Sequence, residues 1–170
     1  GVAIPDTIMC GAHTIEKALQ LHPTFEFPLI IKDIDASKGD NNYLVQDLDE
    51  LKKVYIDHPA LRFMVQRFVP NDGDYRVLVF GDQLGGAIER TPADNSTHLN
   101  NTSQNGNAKW IDATDLPDDV GLLAIKAAKS VRREIAGVDV VRDKISKQLS
   151  VFEVNGTPMI DFGSHVDKKI

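Results

Sequence analysis

Apolar residues fall into short runs along this chain, and their spacing switches between two and three-or-four. The densest run, Phe27-Pro28-Leu29-Ile30-Ile31, ends on Lys32 and predicts a strand buried on both faces. A lysine closing such a strand is costly unless it meets an anion or reaches solvent. Arg62 to Pro70, Asp74 to Phe80 and Gln83 to Arg90 are separated by Asn71-Asp72-Gly73 and Gly81-Asp82. This predicts an antiparallel meander with two tight turns. Two more strands, around 136–142 and 149–155, flank the polar turn Asp143 to Gln148 and predict a hairpin. Short strands are expected behind Pro5, over Ile4 to Cys10, and at Tyr43-Leu44-Val45.

Helical spacing appears three times. Thr14 is placed to cap a helix to about Leu21, stopped by His22-Pro23. Asp47-Leu-Asp-Glu50 has the form of a capping box and opens a helix through about Ile56, ended by His58-Pro59. Asp115 is expected to cap a helix from about Pro117 to Glu134, with Val120, Leu123, Ala124, Ala127, Ala128 and Val131 as its core stripe. Residues 92–107, rich in Asn, Ser, Thr, Asp and Gly, predict a long mobile loop, and the tail from Gly156 is expected to fray.

Composition narrows the class. The 170 residues allow one domain or two small lobes. A net charge of −6 without a basic block argues against nucleic acid as a partner. No apolar run approaches the roughly 20 residues of a membrane helix, and no signal peptide is seen, so no membrane partner is expected. The single cysteine, Cys10, excludes an intrachain disulfide and fits a reducing, cytoplasmic setting. In its apolar strand it reads as core. The chain opens on Gly1 in mid-pattern and reads as a fragment or a trimmed chain. Oligomeric state is left open.

The candidate chemistry centres on the predicted hairpin. Glu153 and Asn155 are two apart, so on a strand they share a face, and Asp139 sits on the partner strand. Opposite one another, these are hard oxygen donors that suit Mg2+. The plain alternative is a solvated sheet face of ordinary polar residues. The loop Ala36 to Asn42, between two strands, has a geometry in which backbone N–H groups close over phosphates. Its plain alternative is a turn, and it is not a Walker loop. His13, His22, His58, His98 and His165 lie in loops or at helix ends and read as solvated. No Ser–His–Asp or Cys–His set is present.

The ordered set Lys32, Ser37 and Gly39, Val-Gln66-Arg-Phe68-Val, Asp74-Tyr-Arg76, Ile-Glu-Arg90, Asn101 before Gly106, Ala-Gly137-Val-Asp139 and Glu153-Val-Asn155-x-x-Pro158 resembles the ATP-grasp carboxylate–amine ligases. The closest branch is the ribosomal-protein glutamate ligases, and the resemblance covers nearly the whole chain. It implies an α+β ATP-grasp fold of two lobes, 1–65 and 66–170, with mainly antiparallel sheets and the nucleotide between them. It implies ATP with Mg2+, or Mn2+, and a C–N bond formed between a small-molecule or peptide carboxylate and an amine, through an acyl phosphate. Lys32, Ser37 and Gly39 would contact phosphates. Gln66, Arg67, Phe68 and Val69 would form the hinge whose backbone reads adenine, with Asp74 linked to the nucleotide. Arg76 and Arg90 would face phosphate or substrate carboxylate, and Asn101 would serve the phosphate end. Asp139, Glu153 and Asn155 would hold the metal.

The chain departs from the family pattern at four places. Asn41 stands where a second loop glycine is usual, Arg67 where an acid is common, Leu99 where the near branch has arginine, and Met159 where glycine follows Pro158. The alternative function is an ATP-binding module of the same fold without independent ligase activity. A structural α+β domain without nucleotide is the third class.

Overall fold

The computed structural model describes residues 1–36, 40–92 and 107–158. They form two compact units, Pro5–Val69 and Gly1–Ile4 with Pro70 onward. Both units pair antiparallel strands with helices, an α+β arrangement. The expected boundary at 65/66 would cut a strand that runs on to Arg67.

Pro5–Val69 contains β1 (Thr7–Met9), α1 (Ile15–Leu21), β2 (Leu29–Asp33), β3 (Asn42–Val45), α2 (Leu48–Asp57) and β4 (Phe63–Arg67). Its sheet has the order β1-β4-β2-β3, all antiparallel. Strand alternation puts Leu29, Ile31, Val45, Phe63 and Val65 on one face, where they bury against Ile15, Leu51 and Tyr55. Lys32, Gln66 and Thr7 fall in the opposite phase. The capping box forms at α2: Asp47 Oδ1 accepts from the Glu50 N–H at 2.9 Å. Glu50 Oε2 reaches one residue further back than the usual box and accepts from the Gln46 N–H at 2.7 Å. Thr14 occupies the cap position of α1, but its backbone is helical and its hydroxyl donates to the Gly11 carbonyl instead. His58, expected to be solvated, is half-buried and stacked on Tyr43, with the Tyr43 hydroxyl 3.1 Å from Nε2. Cys10 is half-buried against this core, and burial raises its thiol pKa.

The other unit contains β5 (Asp74–Phe80), β6 (Gln83–Thr91), β7 (Asn107–Ile111), α3 (Asp118–Ser130), β8 (Ile135–Arg142) and β9 (Leu149–Asn155). Its sheet has the order β7-β6-β5-β8-β9, again all antiparallel. Val77, Val79, Ala87, Ala136, Val138, Val140 and Val151 pack against Val120, Ala124, Ala127 and Ala128 of α3. Each fully buried valine contributes roughly 1.5–3 kcal/mol relative to exposure. Val2 packs on the same core, and the Ala3 carbonyl accepts from the Val151 N–H at 2.8 Å.

Three expectations in this unit are corrected. First, α3 ends at Ser130, well short of Glu134. Arg132 adopts φ +56°, the Arg133 N–H donates to the Ala128 carbonyl, and the Arg132 N–H donates to the Lys129 carbonyl. That is a Schellman ending. Arginine holds the place usually given to glycine, so no residue type announces the stop. Second, α3 starts after Pro117; the Asp115 N–H closes a turn onto the Asp112 carbonyl and Asp115 is not the cap. Third, β7 begins inside the stretch read as loop and pairs with β6, Ile88 facing Trp110. The alternation Ala108, Trp110 against Asn107, Lys109, Ile111 was the available signal. The remainder of the predicted 92–107 loop, residues 93–106, lies outside the described residues.

Candidate active site

The sheet face away from α3 carries the polar residues. Three rows cross it. One runs Ile88, Arg76, Asp139, Glu153 from β6 to β9. A second pairs Arg90 with Asp74, and a third pairs Gly137 with Asn155.

A bulge sets the last strand's phase. Asp139 pairs with Glu153, yet the next residue, Val140, pairs with Val151, leaving Phe152 without a partner. In an unbroken strand Val151, Glu153 and Asn155 would share one face. The extra residue lets Val151 face α3 while Glu153 and Asn155 turn to the side of Asp139. Gly137 leaves room there for Pro158 and the Arg76 stem. A Cβ there would lie 3.0 Å from Pro158 Cβ and 3.8 Å from Arg76 Cγ.

Four charged groups interlock beside the bulge. Arg76 Nε donates to Asp139 Oδ1 at 2.8 Å, and its Nη2 donates to Oδ2 at 2.7 Å. Arg90 Nε and Nη2 donate to Asp74 Oδ1 and Oδ2 at 2.6 and 2.7 Å. The same Arg90 Nη2 lies 3.0 Å from Asp139 Oδ2. Both pairs are two-pronged, the strongest form of ion pair. Burial drives the Asp139 pKa up, but hydrogen bonds from Arg76 and the charge of Arg90 outweigh it and hold the carboxyl below its usual range. Among the described residues Asp74 is hydrogen-bonded by Arg90 alone, and burial outweighs that pairing and pushes its pKa up to about 6. Gly73 makes room for the Asp74–Arg90 pairing: its φ is +152°, and a Cβ would sit 2.3 Å from the Arg90 carbonyl oxygen.

In Pro5–Val69, Lys32 Nζ donates to Gln66 Oε1 at 3.1 Å, and Gln66 Nε2 donates to Thr7 Oγ1 at 2.8 Å. Thr7 therefore fixes which end of the amide meets the lysine. Sequence reading did not single out Thr7, because its partnership depends on the β1–β4 register. Arg67 alternates with Gln66 and leaves the other face of β4, so only its backbone shares the Gln66 side. Phe68 is half-buried and Val69 buried just beyond the strand. Asn41 adopts φ +50°, the left-handed backbone that a glycine at its place would supply. Its Oδ1 accepts from the Tyr43 hydroxyl at 3.2 Å. Ser37, Gly39 and Asn101 lie outside the described residues, as do Leu99 and Met159.

The donor chemistry of Asp139, Glu153 and Asn155 fits a hard dication: two carboxylates and a carboxamide oxygen. Among the described residues no group of three His, Cys, Asp or Glu side chains forms a metal cluster, so the amide is needed to complete the set. The Asn155 Oδ1 also accepts from the Thr157 N–H at 3.1 Å, which fixes its direction. Lys32 is a suitable phosphate partner as a compact cation.

Two antiparallel sheets with this polar face define the ATP-grasp fold, and solved ATP-grasp structures share it. The ATP-grasp ligase PsnB, solved with precursor peptide PsnA2 and AMPPNP, superposes with a TM-score of 0.70 at 18% identity, covering 100% of this chain and 50% of that one. D-alanine–D-alanine ligase from Bacillus anthracis gives 0.67 at 18% identity over 93% of this chain and 53% of its own. The pattern of the RimK-like ATP-grasp domain matches residues 1–170, and the chain belongs to that family. A probable alpha-L-glutamate ligase of Haemophilus influenzae is 28% identical over 98% of this chain and 55% of its own length. An alpha-aminoadipate–LysW ligase of Sulfurisphaera tokodaii is 28% identical over 93% and 55%. The chain thus spans about half the length of the curated relatives it matches.

Proposed function

We propose that this chain supplies the ATP- and Mg2+-handling part of a carboxylate–amine ligase. The reaction joins an amino acid such as glutamate to a small-molecule or peptide carboxylate, in the cytoplasm. The observation that carries the reading is the bulged β8–β9 pairing, which sets Glu153 opposite Asp139 on the face that also holds Arg76. Family membership and the ligase relatives support it.

In this reaction class a carboxylate attacks the γ-phosphorus of ATP, and an amine then displaces phosphate from the acyl phosphate. Both steps crowd anions together, so catalysis is charge neutralisation and positioning. Bound Mg2+ or Mn2+ supplies Lewis-acid charge to phosphate oxygens. Asp139, Glu153 and Asn155 would hold it. Lys32 Nζ, positioned by Gln66, meets phosphate, and the Gln66–Val69 backbone meets the adenine edge. Arg76 faces the reacting anion. Arg90 keeps Asp139 and Asp74 in place from within the sheet. Ser37, Gly39 and Asn101 take the phosphate contacts that the family resemblance gives them.

The test is a magnesium titration of ATP binding, read by thermal shift. At a ligand concentration 100 times Kd, binding stabilises the fold by about 2.7 kcal/mol. Glu153→Gln is expected to need far more Mg2+. Its metal-free stability should stay within about 0.5 kcal/mol of the parent, because Glu153 is exposed. Overlapping magnesium curves would refute the metal assignment, and no shift at millimolar Mg-ATP would refute nucleotide binding. A product assay with glutamate and an acid acceptor separates ligation from binding alone.

A further inference from the structure

We infer that Arg76 occupies the dication's place in the metal-free protein, and that a dication binds Asp139 only as Arg76 withdraws. The inference rests on the ligand set proposed above. Arg76, Asp139 and Glu153 stand side by side on β5, β8 and β9. The two donors of Arg76 take one oxygen each of Asp139, and Arg90 Nη2 takes a third position. A carboxylate offers about four lone-pair sites, so little of Asp139 is left for a metal while both arginines stay.

The two arginines are unequal in their freedom to leave. Arg90 has a side-chain exposure of 6% and also holds Asp74, so its departure would strand a buried carboxylate. Arg76 has 21% exposure, and among the described residues its side-chain hydrogen bonds go to Asp139. Its stem passes Gly137, which adds no side chain of its own beside it; Pro158 lies against the same glycine. The guanidinium also feels the charge of Glu153. It therefore neutralises the same two carboxylates that a dication would bridge.

Charge decides the exchange. Asp74, Arg90, Asp139, Arg76 and Glu153 carry three negative and two positive charges. Adding a dication with Arg76 in place would set two cations against one carboxylate at close range. Withdrawal removes that repulsion and offers the guanidinium to an arriving phosphate or carboxylate. Metal entry and the arming of the anion clamp are then one event. Metal affinity is lowered by the fraction of time that Asp139 is free of Arg76, and the coupling is reciprocal.

The experiment uses Mn2+ alone with the whole chain, followed by electron paramagnetic resonance. Arg76→Gln should bind Mn2+ at least about tenfold more tightly than the parent. Arg76→Lys, whose single ammonium cannot span both oxygens, should fall between. In the parent, the side-chain 15Nε signal of Arg76 should shift and exchange faster as metal saturates, while that of Arg90 stays in place. This second measurement decides the matter if the variants do not fold. Equal or weaker Mn2+ binding by folded Arg76→Gln, or an Arg76 signal unmoved at saturation, would overturn the exchange. If Glu153→Gln still weakens Mn2+ binding in that case, the ligand set stands and only the exchange falls. If neither parent nor Arg76→Gln binds Mn2+, both fall together.

Discussion

Asp74 and Asp139 are two buried aspartates with opposite titration, and the difference is the number of arginines each one touches. Among the described residues Asp139 receives Arg76 and Arg90, and Asp74 receives Arg90 alone. Asp74 is raised from 3.8 to about 6, so the folded protein takes up this proton before the unfolded chain does. Its stabilising contribution is complete below pH 3.8 and is lost as pH rises through about 6. Asp139, lowered from 3.8, works the other way, losing its contribution as pH falls beneath that value. Between pH 7.5 and 4, the parent should therefore gain up to about 3 kcal/mol relative to Asp74→Asn. Urea unfolding of both proteins across that range measures it. A constant gap between parent and variant would mean that Asp74 stays ionised throughout. None of this was legible from residue types. Sequence placed Asp74, Arg76, Arg90 and Asp139 as candidates, but which arginine meets which acid depends on the β5–β6 and β5–β8 registers.

At the level of elements, what the sequence showed and what it hid have separate causes. The capping box at Asp47 and the β8–β9 hairpin were legible because a residue type with one physical use stood at the boundary. The end of α3 was hidden because Arg132 does what glycine normally does. The phase of β9 was hidden for a related reason. A bulge shows in sequence only as a break in alternation, and Val151, Glu153 and Val154 read equally well as an irregular strand. Arg132→Gly should raise stability by about 0.5–1 kcal/mol, since a side chain in the left-handed region costs energy that glycine avoids. Chemical denaturation checks it. A loss of stability would mean that the Arg132 side chain makes up for its backbone.

For the whole molecule, resemblance carried further than pattern. The fold class followed from motifs in the right order, while the junction between the units lies four residues past the expected boundary. The strand run into Val69 gave no sign of where one core stops. The junctions themselves have a consequence. Residues 5–69 interrupt the other unit, whose Gly1–Ile4 segment bonds to β9 through the Ala3 carbonyl and which resumes at Pro70. Both ends of the interruption lie on neighbouring strands: the Arg67 N–H donates to the Asp6 carbonyl at 2.9 Å, and Thr7 pairs with Gln66. Entry and exit are a strand's width apart, so the segment is a cassette that opens and closes at one point. Replacing it with a few Gly and Ser residues should leave a chain whose valine core around α3 still folds, as judged by dispersed methyl signals in NMR. Collapsed methyl signals would argue against it. The same topology lets another four-stranded segment be spliced in at Pro5 and Val69 without lengthening either crossing, while the sequence of the Asp139–Glu153 hairpin stays untouched.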